Sequence, residues 1–593
     1  MVSTKNRVSP RFEGFYIEMV MPDQQDRCQE VVSQILGEDW DIKAIGDNFT
    51  EFEVLLEDDA LSVKQAWDKT YQLRSQPGVI DVEPLFAVPV REVKRTGSRE
   101  QQVSGGEESK SLWDAILSFI STLLDLFSGG GGVETGLSTN DVDWVLKELK
   151  VLQAWEKYFP DANKLPGQGV IIAHPDTGYT THPEIEGNLL LEQGYDFVDG
   201  DKDETDPLEK SDEELVNNPG HGTLAASVMV SPRKAQGDYQ NNKYVTGVAP
   251  GAKLVPLRIT YSVVLWSNHN LAASIEYAAD KGFHIISISL VAAFYSKRLR
   301  TAILYAQKRG VIIIAASGTW TPFVVFPAAY DEVIAVGGST VNRKIWFGSP
   351  RGRKVDVLAP GKGVWYARTV KENGELIYKI QQGAGTSLST PLVAGVAALW
   401  LSYHGRDNLI RRYGAEKIPF IFNQLLRETC DVPPNWKPWR YGAGIVNAER
   451  LLDAALPDNV NRSVIPPAFA LQQHTAVESG EIETFAYMFE SEDLDINSLN
   501  SNLAELLKTN QTELPKKLKE VGQELAFCFA TNGELYDKFA ASLTRDKDNK
   551  NQNQPQTRQF QTLTTQSVDS KSEMREMLLK CGISETLNKR LGN

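Results

Sequence analysis

Three short stretches each set one chemically useful side chain where the chain enters or leaves a regular element. Val170-Ile171-Ile172-Ala173-His174-Pro175-Asp176-Thr177-Gly178 is an apolar, β-branched run that ends on a carboxylate and a glycine. Gly220-His221-Gly222-Thr223 puts an imidazole at the head of a small-residue helix. The polar, glycine-rich run from Gln381 leads through Gly385-Thr386-Ser387 into the uncharged stretch Leu392–Leu401, which reads as a helix buried on all sides. Pro391 suits the first turn of that helix, where a missing N–H costs nothing. Ser387 then stands at the helix entrance, where free N–H groups and the positive end of the helix favour a developing oxyanion. A serine hydroxyl becomes a nucleophile when an imidazole takes its proton, and the imidazole keeps its tautomer when a carboxylate holds its far side. Asp176, His221 and Ser387 supply those three groups. Taken singly, each stretch also has a plain reading: a strand end, a helix start, a serine cap before a core helix.

In order and at their spacings, Asp-Thr-Gly, Gly-His-Gly-Thr and Gly-Thr-Ser-Leu-Ser-Thr-Pro resemble the subtilisin-like serine proteases over roughly residues 140–455. Gly247-Val248-Ala249-Pro250-Gly251-Ala252, Phe326-Pro327-Ala328-Ala329-Tyr330 and Tyr441-Gly442-Ala443-Gly444-Ile445-Val446-Asn447-Ala448 are similar to further landmarks of that family. The resemblance implies a serine endopeptidase that needs no metal or cofactor, with Ser387 as nucleophile, His221 as base and Asp176 as its orienting acid. It also implies that Ser289, Leu290, Val291, Ala316 and Gly318 line the peptide, whose backbone would add a strand to their edges. Two positions depart from the family pattern. Val291 stands where a glycine is usual, which narrows the cleft. Thr319 stands where the oxyanion asparagine is usual, leaving Ser387 N–H and the shorter Thr319 hydroxyl as oxyanion donors. A catalytically weak peptide-binding pseudoprotease and a transpeptidase or macrocyclase on the same fold are the alternatives.

The elements that must position these residues follow from the patterning. Short uninterrupted apolar runs at Val170–His174, Leu254–Ile259, Ile285–Leu290, Val311–Ala316 and Val333–Val336 suit a parallel sheet covered on both faces. Amphipathic helices between them, Asn270–Lys281 and Lys297–Arg309, complete a doubly wound α/β domain over 140–455, with its site at the carboxyl ends of the strands. Residues 1–11 read as a tail. Residues 12–90 alternate strands and helices as a small α+β unit, and Pro77-Gly78-Val79-Ile80-Asp81-Val82-Glu83-Pro84 is similar to the last strand of the ferredoxin-like prodomains of subtilisins. That resemblance implies an intramolecular inhibitor with Phe86–Val90 along the cleft; an unrelated regulatory domain is the other reading.

Residues 91–139 form a linker whose patterning predicts an amphipathic helix at 112–127, suited to the protein's own surface, a partner protein or a membrane surface, and then four glycines, Gly129–Gly132. Residues 456–593 are expected to be partly helical and partly disordered, a regulatory appendage or docking segment.

Composition excludes several classes. A net charge of −15 without a basic stripe argues against nucleic acid. Four scattered cysteines make no disulfide framework or metal site, and the polar N-terminus lacks the apolar core of a signal peptide, so a cytoplasmic protein is expected. Asp196–Glu214 carries ten acidic residues against two lysines. It reads as a solvated loop, as a cleft rim that draws basic substrates, or as a source of calcium oxygens that falls short of a full calcium loop.

Overall fold

The computed structural model describes residues 11–87, 137–458 and 485–591, apart from 21–24, 38–39, 46–49, 57–60, 162, 209–217, 233–243, 266–267, 293–294, 320, 322–323, 486–488, 490–495 and 545–572. The expected helix at 112–127 and the expected disorder at 545–570 lie outside the described residues. The chain divides into two compact units, one drawn from both ends of the sequence and one from its middle.

The first unit begins with β1 (Arg11–Met19), α1 (Gln25–Leu36), β2 (Trp40–Ile45), β3 (Glu51–Leu56), α2 (Val63–Arg74) and β4 (Val79–Ala87). The strands form one antiparallel sheet in the order β2-β3-β1-β4, which with the helix positions is the ferredoxin-like arrangement. Ser62 starts α2 with a capping box: its hydroxyl accepts from the Gln65 N–H at 3.3 Å, and its own N–H donates to Gln65 Oε1 at 3.0 Å.

The second unit carries β5 (Ile171–Asp176), β6 (Tyr195–Asp196), α3 (His221–Val230), β7 (Lys253–Arg258), α4 (His269–Asp280), β8 (Ile285–Ile288), α5 (Lys297–Lys308), β9 (Ile312–Ala316), β10 (Ile334–Ser339), β11 (Val357–Pro360), β12 (Lys362–Glu372), β13 (Glu375–Ala384) and α6 (Thr386–His404). Seven of these strands make one parallel sheet, ordered β11-β10-β9-β8-β5-β7-β6, and the central ones are buried along their whole length. That is the doubly wound pattern the apolar runs require. Helix α6 is buried from Leu388 to Leu401 and packs on α3 and on β8, β9 and β10. Pro391 is not in its first turn, as expected, but inside it. A proline there withdraws the N–H that would have reached the carbonyl four residues back, at Ser387. The Ser289 hydroxyl donates to that carbonyl instead, at 3.0 Å.

Four helices near the end of the chain, α7 (Ile496–Leu506), α8 (Leu514–Thr531), α9 (Gly533–Thr544) and α10 (Glu585–Leu591), belong to the first unit. Phe527 of α8 inserts among the aromatic rings of the N-terminal fold, 5.9 Å from Trp67 and 4.8 Å from Phe86 between centroids. Arg74 of α2 donates to the Glu520 carbonyl and to Gln523, and Asp68 accepts from the Glu585 N–H at 2.8 Å. The C-terminal segment therefore docks on the chain's own N-terminal fold. Phe86, expected in the cleft, is instead packed in this unit's core against Phe12 and Trp67, because its strand position faces the helices; residues 88–90 lie outside the described residues.

Candidate active site

The candidate residues gather at the carboxyl ends of three neighbouring strands. Asp176 is the last residue of β5, Ser289 follows β8, and Gly318 and Thr319 follow β9. Asp176 Oδ1 lies 2.8 Å from His221 Nδ1, and the same oxygen accepts from the Thr177 N–H at 2.8 Å. Asp176 is fully buried and His221 is 7% exposed. Burial works to raise the Asp176 pKa, but the charge and hydrogen bond of His221, with the His174 charge and the Thr177 N–H, together outweigh it and hold the carboxyl below the usual carboxylate range. The approach of α3 depends on Gly222, where a Cβ would stand 1.9 Å from the Gly178 carbonyl oxygen.

Ser387 is the second residue of α6, whose entrance is held from the β9 turn. The Thr386 N–H donates to Thr319 Oγ1 at 3.0 Å, and the Thr386 hydroxyl donates to the Gly318 carbonyl at 2.8 Å. Thr386 has then spent its one hydroxyl proton, so the 3.0 Å contact between the two hydroxyls is a donation by Thr319. The Thr319 hydroxyl thus works as the cap that Gly385 cannot provide. Among the described residues the Ser387 N–H has no partner and is the donor left open at the helix entrance. Neither Ser387 Oγ nor His221 Nε2 has a hydrogen-bond partner here either, and catalytic hydrogen bonds often close only with substrate in place.

The expected peptide edge at Val291 is already occupied. The Val291 N–H donates to the Val263 carbonyl at 2.9 Å, and the Ala292 N–H to the Phe326 carbonyl at 2.7 Å, so this short strand is paired on both sides. Leu290 and Ala316 are buried. Gly318 adopts φ of +119°, and a Cβ there would meet Thr321 Oγ1 at 2.2 Å.

One residue that the sequence hid in its acidic run proves structural to the site. Asp206 is 4% exposed and accepts from the Thr177 hydroxyl at 2.7 Å and from the Gly220 N–H at 2.6 Å. It ties the turn after Asp176 to the turn before His221. Its neighbours Asp196 and Asp199 pair with Arg258 of β7. Among the described residues no group of three or more His, Cys, Asp or Glu side chains is arranged to hold a metal ion. No described helix is long and apolar enough to cross a membrane.

Comparison with known proteins identifies the family. The subtilase family model matches residues 167–430. Thermitase of Thermoactinomyces vulgaris is 31% identical over 44% of this chain and 82% of its own length. The thermophilic serine proteinase of Bacillus sp. (strain AK1) is 34% identical over 42% of this chain. The chain spans 56% of that proteinase's length. The crystal structure of fervidolysin from Fervidobacterium pennivorans shares the fold, with a TM-score of 0.51 at 21% identity over 76% of this chain and 63% of that one. These matches mean that the chain belongs to the subtilase family of serine proteases.

Proposed function

We propose that the protein is a serine endopeptidase that cleaves polypeptides through Asp176, His221 and Ser387. The observation that carries this reading is the buried 2.8 Å contact of His221 Nδ1 with Asp176 at the carboxyl end of β5, with Ser387 at the entrance of α6 and its N–H open. Ser387 Oγ attacks the peptide carbonyl and His221 takes its proton. Asp176 stabilises the imidazolium, and the tetrahedral oxyanion is received by the Ser387 N–H. Thr319 becomes a second donor only by turning its hydroxyl away from Thr386. The peptide pairs with the Val291 N–H only by displacing the Val263 carbonyl. The test is labelling with a fluorophosphonate probe together with casein digestion. Wild type should label and digest, and Ser387→Ala should do neither; labelling that survives Ser387→Ala would remove Ser387 from its role.

The ferredoxin-like fold of 12–87 supports a second element of the proposal, that the chain is made latent and residues 12–90 inhibit it until the 91–139 linker is cut. The absence of a disulfide among Cys28, Cys430, Cys528 and Cys581 suits a cytoplasmic site of action. The engaged Thr319 hydroxyl and the closed Val291 edge favour, as the second reading, a peptide-binding relative with little turnover. The same probe separates the two, since a pseudoprotease leaves it unreacted.

A further inference from the structure

The first unit takes residues from both ends of the chain, and the second takes its middle. Two covalent connections therefore join the units, one through the 91–139 linker and one through 459–484. A cut in the linker severs only the first of them.

The two ends meet along one face of each helix. Lys64, Trp67, Asp68, Tyr71 and Arg74 recur on α2 at intervals of three and four residues, and so do Glu520, Gln523, Glu524 and Phe527 on α8. The Phe527 ring packs on the core of the N-terminal fold, 4.8 Å from Phe86 between centroids. The Tyr71 hydroxyl donates to Glu524 Oε2 at 2.9 Å, and Arg74 Nη1 donates to the Glu520 carbonyl at 3.3 Å. The Glu585 N–H of α10 donates to Asp68 Oδ1 at 2.8 Å, and Lys64 Nζ lies 3.9 Å from the Glu585 carboxylate. Separating the ends would uncover Trp67 and Phe86 and take the Tyr71 donor from the buried Glu524, so the contact resists dissociation.

We propose that α8 and α10 form a retaining clamp, which keeps residues 12–87 bound and the protease inhibited after the 91–139 linker has been cut. This rests on the latency reading above and deepens it. An inhibitor held by one interface leaves on dilution once its linker is cut. Here the cut fragment stays seated on α8, and α8 stays covalently joined to the protease through 459–484. Rebinding is then intramolecular, at an effective concentration set by the connecting chain rather than by the protein concentration. Release takes a second event. Either a cut in 459–484 lets both ends leave together, or the contact of α2 with α8 is lost. Both cuts are peptide hydrolyses with water as the second reactant.

The test uses the full chain with a recognition sequence for a foreign site-specific protease set in 91–139 and a different one set in 459–484. Assembly is read in Ser387→Ala protein, so that self-digestion does not enter. After the first cut, residues 12–90 should elute with the remainder in gel filtration. After both cuts, an affinity tag at the N-terminus should still bring down 485–593. Phe527→Asp sets a carboxylate against Trp67 and Phe86. It should abolish that capture and release residues 12–90 from singly cut protein at a concentration about 10²-fold higher than in the parent chain. With Ser387 intact, casein digestion per molecule should stay at the uncut level after the first cut over about a 100-fold dilution, and should rise on dilution after both cuts. Two results overturn the proposal: residues 12–90 separating from singly cut parent protein as readily as from Phe527→Asp, or the N-terminal tag losing 485–593 after both cuts. Circular dichroism checks the helices of Phe527→Asp, and the tag capture needs no substitution. If the tag retains 485–593 but doubly cut enzyme is no more active than uncut enzyme at any dilution, the latency reading has failed and the clamp has not.

Discussion

Asp176 in the middle unit and Glu524 in the terminal one are both fully buried carboxylates, and they are treated in opposite ways. Glu524 is surrounded by donors: the Ser584 N–H at 2.6 Å, the Ser584 hydroxyl at 2.7 Å and the Tyr71 hydroxyl at 2.9 Å. Both of its oxygens are satisfied. Asp176 has two donors on one oxygen and none on the other, which lies 3.6 Å from His174 Nε2. A carboxylate whose task is to hold α2, α8 and the start of α10 together is worth most when every lone pair is used. A carboxylate that must respond to a charge appearing on its neighbour is worth most when part of its demand is left unmet. The pattern of satisfaction therefore separates a structural acid from a functional one, although both are equally buried.

The largest expected effect breaks the functional side of that contrast. Asp176→Asn should lower turnover on the order of 10⁴-fold, because an amide favours the wrong His221 tautomer and cannot support an imidazolium. Glu524→Gln should leave turnover per folded molecule unchanged. Steady-state kinetics on the two purified variants decide it, and comparable losses in both would erase the distinction.

The structural side breaks in stability. Glu524→Ala strands the Ser584 N–H and the Tyr71 hydroxyl in a dry interface, at a cost of about 1–3 kcal/mol to the first unit. Tyr71→Phe removes one hydroxyl and should cost less. Denaturant unfolding followed through the fluorescence of Trp67, which packs on Phe527, reads both.

The two acids should also answer pH in opposite senses. Burial pushes the Glu524 pKa up against the pull of its donors. Its contribution is therefore full below its unfolded pKa and fades as pH rises through the folded value. Asp176 sits below its ordinary range, so its contribution is present above the unfolded pKa and is lost as pH falls through the folded one. Hydrogen exchange, corrected for the intrinsic pH dependence, should show Leu514–Thr531 loosening toward alkaline pH. Peptides over Ile171–Asp176 should loosen toward acid, and a common direction would contradict the contrast.

What was legible in the sequence follows the same divide. The helix start of His221, the strand end of Asp176 and the entrance of Ser387 are local patterns, and their small neighbours are forced by close approaches such as Gly222 to Gly178. Asp206 was not legible, because its buried role depends on two turns meeting, while its neighbours in sequence look like solvated charge. The edge strand β2 was missed because Trp40-Asp41-Ile42-Lys43-Ala44-Ile45 is half exposed and alternates with charge. The docking of α8 on α2 was out of reach for another reason. Tyr71 and Glu524 are 453 residues apart, and neither helix face announces its partner.

The smallest expected effect refines the contrast within the site itself. The Thr319 hydroxyl is satisfied in the manner of Glu524: it accepts from the Thr386 N–H and donates to the Thr386 hydroxyl, whose own proton goes to Gly318. A group so fully engaged behaves as a helix cap. Thr319→Val at nearly constant volume should then cost about 1 kcal/mol of stability, the usual value of a lost cap. Turnover per folded molecule should change by no more than about threefold, under 1 kcal/mol of transition-state energy. Loss of a working oxyanion donor would instead remove about 10²–10³ in kcat with stability little altered. Thermal melting and kcat measured on one Thr319→Val preparation separate the two. A large loss of kcat at unchanged melting temperature would show that the hydroxyl leaves Thr386 during the reaction and that Thr319 belongs with Asp176 among the groups held ready for charge.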